Sequence, residues 1–155
     1  MSKTYTQEIP IAWHHIRDAR KLVQDALSEH EDGLRDAVGM TMSELLENAM
    51  KYGESVAGMS GASFTLTVTD DEIRIEVKNG IAAPEPLALL RSSIDAIAKA
   101  PDKEALYVER LQEILEHPSA GGRLGLFRVA YEGGFDLSCR HDDPIVTVMA
   151  RRRLR

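Results

Sequence analysis

The segment that decides the fold is TMSELLENAMKYG, at residues 41–53. At about 100° per residue, a helix through this segment and the residues just before it would place most of its apolar side chains on one side. These are Val38, Leu45, Leu46, Ala49 and Tyr52. Glu44, Asn48 and Lys51 fall within a narrow arc on the other side, which we call the polar ridge. We therefore predict a helix over about residues 34–52, with Gly53 as its C-terminal glycine.

The polar ridge combines one carboxylate, one amide and one ammonium group. Asn offers a hard oxygen ligand for Mg²⁺, Lys neutralises anionic oxygens, and Glu orients a nucleophile or accepts its proton. An ordinary solvated helix face explains the same spacing, because Glu and Lys are common surface residues of helices. Asn is the less expected member, since it is a poor residue for helix interiors.

Helix and strand patterns continue on both sides of this segment. We predict an edge strand at residues 5–9, stopped by a proline, and a helix at 11–27. The later predictions are a hairpin (64–68 and 73–77), a loop (79–86), helices (87–97, 101–117 and 124–131) and strands (135–140 and 145–151). This order indicates an α/β sandwich of the α+β class, with a mixed, largely antiparallel sheet and helices on one face.

Length and composition exclude several classes of protein. The chain has 155 residues, of which 43% are hydrophobic, enough for one core. A formal charge of −6 argues against nucleic acid as the main partner. No apolar run approaches the roughly 18 residues of a membrane span. The single cysteine, Cys139, excludes an internal disulfide and a thiolate-rich metal site. We expect a cytoplasmic protein without a membrane partner.

The motif ExxxNAxKY at residues 44–52 resembles the N box of the GHKL (Bergerat-fold) ATPases, which include histidine kinases and anti-sigma-factor serine kinases. Ile-Pro at residues 9–10, before a long helix, is similar to the start of the anti-sigma-factor kinases. Within the family, the chain is most similar to the SiaB-type protein kinases of bacterial partner switching. The resemblance implies one domain over residues 1–155 with a histidine-kinase-like ATPase fold. Residues 81–120 would be a helical insertion in the position of the ATP lid.

The resemblance also implies roles for the polar ridge. Glu44 would be the general base, Asn48 would bind Mg²⁺, and Lys51 would approach phosphate. The implied cofactors are ATP and Mg²⁺, and the implied substrate is a Ser or Thr of a small regulatory protein. That partner would resemble an anti-sigma-factor antagonist or the partner of the SiaB-type kinases. A homodimer is compatible with this prediction.

The family's second box reads Asp-x-Gly-x-Gly after a strand, and its Asp accepts a hydrogen bond from adenine. Here the strand is followed by KNGIAA at residues 78–83. Lys78 aligns with the Asp, but an ammonium group cannot accept a hydrogen bond. If the loop shifts by one residue, the side-chain carbonyl of Asn79 accepts the hydrogen bond from adenine, and Gly80 lies next to the adenine base. A plain turn at Asn79 and Gly80 is the alternative.

The third box is a glycine loop, GGRLGL at residues 121–126, similar to the family's Gly-x-Gly-Leu-Gly-Leu. Such loops hold phosphates with backbone N–H groups at a helix start. The implied nucleotide contacts are Gly121, Gly122, Arg123, Leu124 and Gly125. Arg123 stands where the family has a glycine, so it either obstructs the backbone approach or contacts phosphate through its guanidinium. A simple loop-to-helix junction is the alternative.

Together these motifs predict a bacterial signalling kinase that binds Mg-ATP and phosphorylates a small partner-switching regulator. A separate interpretation is an interaction module that keeps the fold but binds no nucleotide. Lys78 and Arg123, at positions where the family has other residues, favour this second interpretation.

Overall fold

The computed structural model describes residues 2–9, 14–53, 56, 61–117 and 124–154. Five strands and five helices follow one another along the described residues. They are β1 (Lys3–Ile9), α1 (His14–Ala26), α2 (Asp32–Tyr52), β2 (Ala62–Val68), β3 (Glu72–Gly80), α3 (Pro84–Lys99), α4 (Lys103–Glu116), α5 (Leu124–Tyr131), β4 (Asp136–Asp142) and β5 (Ile145–Arg153).

The five strands form one sheet in the order β1-β2-β3-β5-β4. Each pairing among these described strands is antiparallel, with Leu66 opposite Ile75 and Ile75 opposite Ala150. Side chains alternate between a buried face and a more exposed face, as they must in a pleated strand. The helices cover the buried face, so the predicted α/β sandwich is confirmed. The first strand lies at a sheet edge, as predicted.

Helix α2 is the central element of the helical layer. It contacts α1, α5 and strands β2 and β3. The largest fully buried side chains come from these packed elements and from the residue before β4, and they include Met42, Leu46, Phe64, Phe127 and Phe135. Burying a side chain of this size contributes about 1.5–3 kcal/mol to folding. The core therefore depends on α2 keeping its place between the sheet and its neighbouring helices.

The predicted solvated side of α2 is only partly solvated. Glu44 and Asn48 are half-buried because α5 packs over this part of the helix, and Lys51 is exposed. Tyr52, which was predicted to be buried, is half-buried. Burial also extends to Thr41 and Ser43, and the hydroxyl of Ser43 donates to the carbonyl oxygen of Gly39 in the same helix. The helix is thus surrounded on more sides than the periodicity of its sequence indicates.

The predicted loop at residues 79–86 is wrong over most of its length. Strand β3 continues to Gly80, where Asn79 pairs with Val146 and Gly80 with Ile145. The neighbouring strand β5 supplies these hydrogen-bonding partners, a contact that local sequence cannot reveal. Helix α3 begins at Pro84, in the first-turn position where proline is tolerated. Only residues 81–83 remain as a connection.

Gly53 ends α2, but it is not in the left-handed conformation that C-terminal glycines often adopt. Its φ is −74°, an ordinary value for any residue. The glycine is instead required by space, since an added Cβ would overlap the carbonyl oxygen of Ala49 and lie 3.0 Å from Nδ2 of Asn79. The end of α2 and strand β3 therefore approach each other closely at this glycine.

We expect Gly53→Ala to destabilise the protein by about 1–3 kcal/mol, the usual cost of inserting a methyl group into a packed site. Gly33→Ala is the matched control, because nothing lies within 4 Å of an added Cβ at that helical position. The control should gain about 0.5–1 kcal/mol from helix propensity. Urea unfolding measures both changes. Equal stability of Gly53→Ala and wild type would contradict the close approach.

Candidate functional site

The polar ridge meets the start of α5. Glu44 faces Gly125, where an added Cβ would overlap the Oε2 atom of the carboxylate. A glycine at this position therefore lets α5 lie directly against Glu44. The phosphate-binding role predicted for Gly125 stays a prediction, and the packing role is what the structure shows. Leu124, the first residue of α5, is half-buried.

Glu44 lies in an environment that disfavours its charge. Its side chain is 19% exposed. Burial raises the pKa of the Glu44 carboxyl above its ordinary value, and the nearby carboxylates of Glu47 and Glu132 raise it further. Arg128 opposes this shift through an ion pair, with Nη1 at 3.4 Å from Oε1 of Glu44. A carboxyl whose pKa lies above its normal range suits a group that accepts and returns a proton.

A narrow pocket opens beside Asn48, one turn after Glu44. Its walls are mainly apolar and come from α2, β3, α3, α5 and β5. The free volume is about 10 Å³, which is room for about one water molecule. The lining side chains are Leu45, Asn48, Ala49, Tyr52, Val77, Asn79, Ile81, Leu90, Leu126 and Val148.

Two amides bring polar groups into this apolar pocket. The Nδ2 atom of Asn48 is buried and has no hydrogen-bond partner among the described residues. A buried polar group without a partner costs about 1–3 kcal/mol. Five other side-chain atoms of the described residues are in the same state, so the position of Asn48 in the pocket wall is what makes its amide a candidate. Asn79 is 6% exposed, and its Nδ2 donates to the carbonyl oxygen of Gly80 at 3.1 Å. The polar part of the pocket lining therefore consists of two amides, one of them without a partner among the described residues.

The structure brings some of the predicted site residues together and separates others. Asn48 and Asn79 line the pocket, and Glu44 and Gly125 face each other where α2 meets α5. Lys51 is exposed, with its Nζ 5.3 Å from the centre of the Tyr52 ring.

The residues of the second and third boxes divide in the same way. Lys78 is exposed and alternates with Asn79 along β3, so Asn79 is the residue that lines the pocket. Gly80 is buried in the strand. Gly121, Gly122 and Arg123 lie outside the described residues. The predicted roles of all these residues stay predictions.

Arg128 is a site residue that the sequence analysis missed. It reaches Glu44 across 84 positions of the chain and also pairs with Glu132, the residue that directly follows α5. The spacing of Arg128 and Glu132 is a recognisable helical ion pair, but the contact with Glu44 depends on how α5 packs against α2.

Within the described residues, no three His, Cys, Asp or Glu side chains are grouped closely enough to hold a metal ion. In the same part of the chain, no helix is both long and apolar enough to cross a membrane.

Comparison with known proteins relates the chain to one solved fold. The chain matches no family model and no curated protein. It is similar to a chain in the crystal structure of the SiaB–SiaC complex from Pseudomonas aeruginosa, with a TM-score of 0.70 and 19% sequence identity. The match covers 97% of this chain and 89% of that chain. The two chains share a fold over nearly their whole lengths.

We expect Glu44→Gln to stabilise the protein at neutral pH. Because the folded state raises the pKa of Glu44, the carboxyl's contribution to stability is complete below its ordinary value of 4.5 and is lost as pH rises through the raised value. Gln keeps the shape and removes this penalty. Urea unfolding should show a gain over wild type at pH 7 that shrinks at pH 4.

Glu72→Gln is the control of opposite sign. Burial acts to raise the pKa of Glu72, but hydrogen bonds from Arg151 and Arg74 outweigh it and lower the pKa. This carboxylate therefore stabilises the fold above its ordinary pKa, and the stabilisation is lost as pH falls through the lowered value. The control should lose stability at pH 7. A loss of stability at pH 7 for Glu44→Gln as well would contradict the assigned environment of Glu44.

Proposed function

We propose that this protein is a bacterial signalling kinase that binds Mg-ATP beside α2 and transfers the γ-phosphoryl group to a Ser or Thr of a small regulatory protein. One observation carries the proposal. Glu44, a half-buried carboxyl with a raised pKa, lies one helical turn before Asn48, whose amide nitrogen is buried in the pocket wall without a partner. The pair places a proton acceptor close to an amide that is able to hydrogen-bond to a ligand.

The residues of the pocket are of chemical types that suit Mg-ATP. An amide such as Asn48 carries a carbonyl oxygen, a hard ligand of the type that Mg²⁺ takes, and its nitrogen lacks a partner within the described chain. Asn79 carries both a donor and an acceptor, which suits the edge of a purine base. When bound, Mg²⁺ would neutralise phosphate charge. The apolar side chains of Val77, Leu90 and Val148 would exclude water from the base.

Glu44 would act on the substrate hydroxyl rather than on the nucleotide. From its position one turn before Asn48, its carboxylate can orient a Ser or Thr side chain and accept the proton of the hydroxyl. The raised pKa supports this role, because a base works best when its pKa lies near the working pH.

A protein partner is supported by the fold comparison and by the motif. The chain shares its fold with a chain of the SiaB–SiaC complex, which is an assembly of two proteins. The N-box motif at residues 44–52 resembles that of kinases whose substrates are small regulators of partner switching. We therefore propose that the substrate is a small protein related in kind to an anti-sigma-factor antagonist or to the partner of the SiaB-type kinases.

A second function, that of an interaction module without nucleotide, is favoured by the size of the pocket. Room for about one water molecule does not admit an adenine base. Nucleotide binding therefore requires the lining side chains to move. One of these lining side chains is Leu90, which belongs to α3. Helix α3 lies in the segment that the family resemblance places at the ATP lid, where movement on binding is common in kinases.

The two functions are separated by the substitution Glu44→Gln in a phosphoryl-transfer assay. We expect the variant to bind Mg-ATP within a few-fold of wild type and to lower transfer by roughly 10²–10⁴, the contribution of a positioned acid–base group. The assay uses radiolabelled ATP and the partner recovered by pull-down from the native organism. Asp36→Asn is the matched control, because it removes a carboxylate from an exposed position of the same helix.

The outcomes are distinct. Transfer that survives Glu44→Gln unchanged would remove Glu44 from the mechanism. A wild-type protein that transfers nothing, and that binds its partner equally well with and without ATP, would support the interaction module.

A further inference from the structure

Arg128 of α5 is shared between two carboxylates. Its Nη1 lies 3.4 Å from Oε1 of Glu44, and its Nε lies 2.6 Å from Oε2 of Glu132. The Glu132 side chain is 42% exposed, whereas that of Glu44 is 19% exposed. The guanidinium thus bridges a solvated carboxylate just after its own helix and a more buried one on α2.

The two contacts differ in what they can affect. The contact with Glu132 is a local helical pair at an exposed position, where water and salt screen the charges. The contact with Glu44 is longer but lies in a less solvated place, where a charge acts more strongly on a neighbour's ionisation. Gly125, on the same helix as Arg128, also touches Glu44. Helix α5 therefore determines both the surroundings and the charge balance of this carboxyl.

We infer that Arg128 is a positioning residue for Glu44: its guanidinium holds the carboxylate in place and favours the ionised form, and Glu132 competes for the same guanidinium. The importance of this contact for phosphoryl transfer rests on the proposed function. The contact itself does not, since it follows from the packing of α5 on α2.

The charged groups around Glu44 allow a test based on the direction in which the pKa of Glu44 changes when each group is removed. They are Glu47 on α2, Arg128 on α5 and Glu132 directly after α5, with Tyr107 of α4 acting on Arg128. Burial has the largest effect and raises the pKa of Glu44. Among the charged groups, Glu47 raises this pKa, Arg128 lowers it, and Glu132 raises it. Removing Arg128 should therefore raise the pKa of Glu44. Removing Glu132 should lower it, because one competitor and one negative charge disappear together.

The experiment is an NMR titration of the Glu44 carboxyl carbon in the full chain, assigned by comparison with Glu44→Gln. We expect the midpoint to move to higher pH in Arg128→Gln and to lower pH in Glu132→Gln. Arg128→Lys, which keeps the positive charge, should restore most of the wild-type midpoint. Arg140→Gln is the matched control, because Arg140 pairs with Asp142 on β4 and is not among the groups that shift Glu44.

A second readout follows the pH profile of phosphoryl transfer. Because the base must be deprotonated, the acid limb of the profile should shift to higher pH in Arg128→Gln, with recovery in Arg128→Lys. A change in maximal rate without a shift of the limb would be a structural effect and would count against the inference.

Other outcomes decide between the inference and the proposed function. Midpoints that stay in place, or that move in the same direction in Arg128→Gln and Glu132→Gln, would overturn the inference. Midpoints that move as expected in a protein without transfer activity would support the inference and contradict the kinase. If Arg128→Gln does not fold, Glu132→Gln and Arg128→Lys still carry the test, because Glu132 is exposed and Lys keeps the charge.

Discussion

The packing of α2 between α1, the sheet and α5 is the constraint on which the rest of the structure depends. Because this helix is covered on several sides, its polar residues cannot all reach water, and Glu44 and Asn48 are drawn into the protein with it. The glycines at positions 53 and 125 allow the close approaches that this requires, one to β3 and one to α5. The candidate site is thus a consequence of how the central helix is enclosed.

This enclosure lowers the stability of the folded protein, and a role of the enclosed groups in reactivity or ligand binding would explain why they are kept. The carboxyl of Glu44 is disfavoured as a charge, and the Nδ2 atom of Asn48 has no partner among the described residues. A sequence selected only for stability would replace both groups, since each lowers the free energy of unfolding. Groups of this kind are typical of sites where reactivity or ligand binding is kept at the expense of stability.

The local patterns of the sequence predict most of the elements, because apolar periodicity and the signals that end helices and strands act over short distances. The errors occur where distant segments meet. Asn79 belongs to a strand because β5 pairs with it, and Glu44 is half-buried because α5 covers it. The role of Arg128 could not be predicted for the same reason, since its contact with Glu44 spans 84 positions. The N-box resemblance identified Glu44 and Asn48 as candidates without revealing their burial.

The central claim is that the pocket beside α2 binds Mg-ATP through its two amides. The most direct measurement is an NMR titration that follows the side-chain NH₂ resonances of Asn48 and Asn79, assigned with Asn48→Asp and Asn79→Asp. We predict that Mg-ATP shifts both resonances along one saturable curve, and that chelating Mg²⁺ reduces the shift of Asn48 more than that of Asn79. Resonances that stay in place at millimolar Mg-ATP, in a protein with a native backbone spectrum, would contradict the claim.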